Sequence, residues 1–247
     1  MEKILIIEEE KIPQNSVLIN CLPDVGLVGA IASSYLVEKL DMKYAGYLDS
    51  ALFPPIIVLH KERPLSPVRI YVKDNLTVVL SEIALPLEAL RYLAKRIAEW
   101  AEEKAVKTVV TFGGIPVPNR IDIEKPKVYG VGATEEDRDF LRKNNVKLLK
   151  EGFMAGYYAL LLKERMKKRN SCIALLAESH LQYPDPGAAA SVLETFSKIF
   201  NINIDLKPLI EQEEEYRIKL KELMKRTIET FRHAQKSYEY TPPLTYV

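Results

Sequence analysis

Apolar positions along the chain fall into two rhythms. Short continuous runs, Lys3–Glu8 (KILIIE), Ser16–Cys21 (SVLINC), Tyr44–Ser50, Ile56–His60, Val68–Lys73 and Leu76–Ser81, read as strands. Asp74-Asn75 forms a tight turn joining the last two. Lys107–Phe112 (KTVVTF) and Ser171–Ala177 (SCIALLA) are apolar throughout, as expected of strands covered on both faces of a parallel sheet. Between them lie patterns of helical period. PDVGLVGAIASSYLVEKL is apolar around most of its circumference, which predicts a deeply buried helix. After Pro86, Leu87, Leu90, Leu93 and Ile97 mark the inner face of a helix running to about Lys104. KVYGVGA reads as a strand leading to Thr134-Glu-Glu, a helix start with an N-cap and first-turn acids. Further helices are expected over Gly156–Lys168 and from Ala188 to Phe200.

Strands alternating with helices predict an α/β fold, a three-layer sandwich with helices on both faces of a largely parallel sheet. The Val68–Ser81 hairpin makes that sheet mixed. Beyond Pro208 the pattern changes. Acids come first and bases later, with i,i+4 pairs Glu213–Arg217, Glu215–Lys219 and Glu222–Arg226. An apolar stripe runs through Tyr216, Leu220, Leu223 or Met224, Ile228 and Phe231. One amphipathic helix of roughly 30 residues is expected, its stripe packed on its own domain or forming an oligomer seam. The expected organisation is a core domain over 1–205, a C-terminal helix over 206–238 and an extended tail over 239–247.

Composition narrows the function classes. Hydrophobic residues make up 47% and charged residues 28% of 247, enough to build and solubilise a sizeable core. Lys+Arg 35 against Asp+Glu 34 gives a net charge of +1, so no global field recruits nucleic acid or an anionic membrane. No stretch reaches the ~20 apolar residues of a membrane helix. The two cysteines, Cys21 and Cys172, sit in strand-like runs and read as reduced, buried thiols, which fits a cytoplasmic protein. Frequent Glu and Lys with few Gln are a thermophile's usage.

Candidate chemistry gathers where α/β sheets hold ligands, at the carboxyl ends of the strands. Glu82, Gly113-Gly114, and Glu178 with His180 fall at that edge, and Arg120 can join them from the loop after the glycines. Two carboxylates, a His, an Arg and a pair of Gly amides could serve a hydrolase or phosphorylase acting on a small polar or nucleoside-like substrate. The same residues also have plain structural uses. Gly113-Gly114 suits a sharp strand-to-loop turn with positive φ, and the carboxylates can end strands or cap helices. The three histidines (60, 180, 233) have no ligand spacing, and no phosphate-binding, zinc-protease or nucleophile-elbow motif is present. Ser33-Ser34 has no base in view, and Gly26 and Gly29 are explained by close helix–sheet packing. No metal or cofactor is expected.

Three stretches carry a resemblance: DVGLVGAIASSYLVEKL, TFGGIPVP, and GYYALLLKE with AESHLQYPDPGAAASVLETF. In order and content they resemble the proteasome assembly chaperone family, in the branch of archaeal homologues and their bacterial relatives. The resemblance spans roughly residues 1–205. It implies a fold like that of purine nucleoside phosphorylases and related hydrolases, turned from catalysis to protein binding. The expected partners are proteasome α subunits or the 20S particle, further copies of the same chain, and a second chaperone protein. Some members of the family end in a hydrophobic residue, Tyr and any residue, a signature that enters pockets between α subunits. Here Leu244, Thr245, Tyr246 and Val247 occupy that place. Tyr246 and the terminal carboxylate match, while Thr245 stands where the pattern has a hydrophobe. An oligomeric scaffold whose tail packs on a neighbouring subunit is the remaining alternative.

Overall fold

The computed structural model describes residues 3–60 and 62–236. The tail at Leu244–Val247 therefore lies outside the described residues.

A nine-stranded mixed sheet forms the middle layer, in the order β1-β3-β6-β7-β2-β8-β11-β9-β10. Its four central strands are parallel: β7 (Leu76–Ser81), β2 (Val17–Cys21), β8 (Thr108–Pro116) and β11 (Cys172–Ser179). On one side β6 (Val68–Lys73), β3 (Lys43–Asp49) and β1 (Leu5–Glu8) continue antiparallel. On the other, β9 (Val128–Gly132) is antiparallel to β11, and the short β10 (Lys147–Leu148) is parallel to β9. A separate hairpin of β4 (Val58–His60) and β5 (Arg63–Leu65) stands between β3 and β6 in the chain and pairs with no strand of the main sheet. The expected strand at Ile56–His60 is thus shorter, and its partner β5 carries too weak an apolar pattern to be read.

Helices cover both faces. α1 (Val28–Lys39), α3 (Glu135–Lys143) and α5 (Pro186–Phe200) pack on one, where Phe196 of α5 meets Phe112 of β8 and Phe200 of α5 meets Phe140 of α3, with ring centroids 5.4 and 5.7 Å apart. α2 (Leu87–Glu103) and α4 (Tyr157–Lys167) pack on the other, where Leu90, Leu93, Ile97 and Trp100 form the buried side of α2. Helix starts follow from local chemistry. Thr134 and Asp137 form a reciprocal capping box on α3. Asp185 caps α5 with Pro186 in its first turn, two residues earlier than the expected start at Ala188.

The C-terminal stretch differs from expectation in one respect. Instead of one continuous helix it forms α6 (Lys207–Glu211) and α7 (Glu213–Lys236), interrupted at Gln212. The three first-turn acids of α7 suit a fresh helix N-terminus better than a helix interior. Its stripe packs on the α1/α5 core: Met224 is buried, with Tyr216, Leu220, Leu223 and Ile228 half-buried around it. Cys21 and Cys172 are both buried and free, and burial holds both thiols well above their ordinary pKa, Cys172 at about 12.

Candidate functional site

Because β7, β2, β8 and β11 are parallel, the segments after them leave from one edge of the sheet. Gly113 and Gly114 sit there, but not in a turn. β8 continues through both, to Pro116, and neither has positive φ. The demand for glycine is one of space. A Cβ on Gly114 would lie 2.5 Å from the Val25 carbonyl oxygen, and one on Gly113 would lie 2.9 Å from both Asp24 Oδ2 and the Tyr158 ring. The loop after β2 is therefore pressed onto the end of β8. Gly26 in that loop has φ +62°, and Leu27 is also left-handed at +52°. Gly29 lets α1 descend on β8, since a Cβ there would come within 2.6 Å of the Phe112 carbonyl. Ser33 has no nucleophilic geometry, because its hydroxyl donates to the Gly29 carbonyl at 2.8 Å.

Asp24 is the group that inspection of the sequence missed. Its carboxylate is 6% exposed and accepts from Gly114 N–H at 3.3 Å and Gly29 N–H at 3.5 Å. Bonds this long compensate burial poorly. Burial accordingly pushes the Asp24 carboxyl well above the usual carboxylate range, with the two amides pulling partly back.

A second centre lies in the loop after β11. Arg120 donates from Nε to Asp185 Oδ2 and from Nη2 to Oδ1, both at 2.8 Å, and from Nη1 to the Ile123 carbonyl at 2.6 Å. The pair is 7% and 0% exposed. Asp185 also accepts from His180 N–H at 3.0 Å and Ala188 N–H at 2.9 Å, so its two oxygens take four hydrogen bonds. Its own N–H donates to the Gly26 carbonyl at 2.8 Å, which ties this loop to the one after β2. The His180 ring sits edge-on to Tyr183 at 6.2 Å, and burial lowers its pKa against the opposing pull of Asp185.

The remaining expected residues go elsewhere. Glu178 turns toward β9 and accepts from Lys127 N–H at 3.0 Å and the Tyr129 hydroxyl at 3.3 Å. Glu82 follows β7, two strands from β8, and pairs with the buried Arg69. Arg69 Nε and Nη1 have no hydrogen-bond partner among the described residues. The sheet thus brings Arg120 and His180 together through Asp185, and Gly113 and Gly114 together around Asp24. Glu82 and Glu178 each serve a separate local contact. No carboxylate stands free beside His180 to form an acid–base pair among the described residues. No group of three His, Cys, Asp or Glu is placed to hold a metal ion among them either. None of the described helices is long and apolar enough to cross a membrane.

Comparison with known proteins decides the relationship. The model of the PAC2 family matches residues 18–224. The chain belongs to the PAC2 family. Among its relatives is the uncharacterized Methanocaldococcus jannaschii protein MJ0106, 30% identical over 239 residues that cover 96% of this chain and 98% of that one. Among solved structures it is similar to Pyrococcus furiosus PbaA, an archaeal homolog of proteasome-assembly chaperone. TM-score is 0.86 and identity 30%, covering 91% of this chain and 99% of the other. Pyrococcus furiosus PbaB, an archaeal proteasome activator, shares the fold at TM-score 0.75 and 24% identity, covering 90% and 99%. The PAC2 architecture is the mixed α/β sheet flanked by helices expected for this chain. In this chain the polar centre after β2, β8 and β11 is occupied by contacts that hold three loops together.

Proposed function

We propose that this PAC2 chain is a chaperone-like protein of proteasome assembly that acts by protein–protein contact and not by catalysis. The observation that carries this reading is its 30% identity to PbaA across nearly the whole of both chains. The spent state of the polar centre supports it, since Arg120 and Asp185 satisfy one another where a hydrolase would need free groups. In this reading the chain works in the cytoplasm as a homo-oligomer, with proteasome α subunits or the 20S particle as partner and a second chaperone protein as a further one. Residues 1–205 are the body, 206–238 the helical extension and 239–247 the tail.

The tail supplies the contact. Tyr246 buries its ring in a pocket of the partner while its hydroxyl stays bonded. Pro242-Pro243 hold the approach extended, which lowers the ordering cost. One such tail binds weakly, whereas several on an oligomer gain effective concentration where their spacing matches the ring. The test is binding of 20S particles and α-subunit rings by the intact chain and by a chain ending at Pro243. The shortened chain is expected to lose most of the binding, and equal binding removes the tail from the mechanism. Replacing Thr245 by Leu is expected to tighten binding, because a buried hydroxyl without a partner is costly and a larger apolar side chain is not.

A further inference from the structure

A cleft lies away from the strand ends just described, over the margin of the sheet. It measures about 1170 Å³ and runs between β3/β6 and the β4–β5 hairpin. Tyr44, Tyr47 and Tyr71 line its sheet wall, and the first and last of these meet edge-on at 5.9 Å. Glu9 and Asp49 stand on the same wall, with His60 and Arg63 on the hairpin wall. All four are exposed, and none forms an ion pair with any described residue. Glu9 accepts only from the Tyr44 hydroxyl at 3.3 Å, and Asp49 only from Ser50 N–H at 2.9 Å. Glu62, at the turn of the hairpin, does not line the cleft.

The hairpin itself is short of partners. A two-stranded ribbon is marginal in water unless something covers it. This one has three residues per strand, joins no other sheet, and leaves Ile57 67% and Leu59 73% exposed. One chain therefore carries an arm bearing Ile57, Leu59, His60 and Arg63, and a wall bearing three tyrosines, Glu9 and Asp49. A surface that complements itself in this way is what a symmetric homo-oligomer requires. The cleft is also larger than the sites that hold small ligands, which run to roughly 1,000 Å³.

We propose that arm and wall form one self-complementary interface, and that the occupant of the cleft is the β4–β5 arm of a second copy of this chain. Ile57 and Leu59 supply the apolar contact, and His60 and Arg63 of one copy meet Asp49 and Glu9 of the next. This inference rests on the homo-oligomer of the functional reading above and names its contact surface.

Sedimentation of the full chain over a range of concentrations tests it. Arg63→Glu and Asp49→Lys are each expected to raise the dissociation constant of the oligomer tenfold or more. An equimolar mixture of the two variants is expected to restore association, because the reversed arm of one then meets the reversed wall of the other. Recovery on mixing distinguishes contact between copies from closure of the arm on its own cleft. Glu9→Lys repeats the test should Asp49→Lys disturb β3, and Leu59→Asp is expected to weaken association without rescue on mixing. An oligomer indifferent to all of these, or one that fails to recover on mixing, overturns the interface alone. A chain that stays monomeric at every concentration overturns both the interface and the homo-oligomer.

Discussion

Two regions of the molecule hold similar charges and use them in opposite ways. At the carboxyl ends of the central strands, Arg120 and Asp185 are buried and paired bidentately, and each nitrogen of Arg120 and each oxygen of Asp185 is hydrogen-bonded. At the sheet margin, Glu9, Asp49, His60 and Arg63 line an open cleft, and no ion pair joins them to each other or to another described residue. The first position is where α/β enzymes keep reactive groups, yet here the groups are committed to holding loops. The second is where charge remains available to a partner. Burial alone does not mark function, and what matters is whether a polar group still has capacity to bond.

The contrast can be broken most directly at the closed centre. Arg120→Ala leaves Asp185 buried without its cation, a change that typically costs about 3–5 kcal/mol. Urea unfolding should show a loss of that order, and a loss under 1 kcal/mol would mean that the pair does not lock the loops. Gly114→Ala comes next. Its Cβ would meet the Val25 carbonyl at 2.5 Å, and neither β8 nor the loop can yield without shifting backbone. Overpacking of this kind costs roughly 1–3 kcal/mol, which thermal unfolding would read.

A smaller effect comes from Asp24. Its folded pKa is raised, so the folded state holds a proton that the unfolded state has already released. Stability then falls as pH rises from the ordinary carboxylate range up to the raised folded value, and is independent of this group below that window. Asp24→Asn should flatten that part of the stability profile. An unchanged slope would show that Asp24 ionises normally. The smallest effect belongs to the open cleft. Asp49→Asn and Arg63→Ala should each alter monomer stability by less than about 0.5 kcal/mol, as exposed substitutions do. A larger loss would mean that the cleft is already closed on itself.

Much of this arrangement can be read in the sequence. The apolar runs at β2, β8 and β11, the stripe of α2 and the Thr134 cap all lie where periodicity and capping chemistry place them. Close approach of backbone is harder to read. Gly113-Gly114 has the look of a turn, and only the packed loop over β8 reveals that the missing Cβ atoms matter for space and not for φ. Asp24 stands three residues after the end of β2 and two before Gly26, and Asp185 directly before Pro186, a usual N-cap placement. The signal for Asp185 as a cap was therefore present. Its pairing with Arg120, 65 residues earlier, depends on β8 and β11 being neighbours and has no local trace. The hairpin β4–β5 is equally faint, because three-residue strands containing Pro64 and Arg63 carry no period.

The proposed α-ring binding requires the tail and not the enzyme-like strand ends. The decisive measurement is 20S α-ring binding by the intact chain, the chain ending at Pro243, and a Glu82→Gln, Glu178→Gln, His180→Ala triple variant whose fold is verified by circular dichroism. The triple variant is predicted to bind within about twofold of the intact chain, since RT ln 2 is only ~0.4 kcal/mol, while the shortened chain loses binding. The opposite pattern, with binding lost in the folded triple variant and kept in the shortened chain, would contradict it.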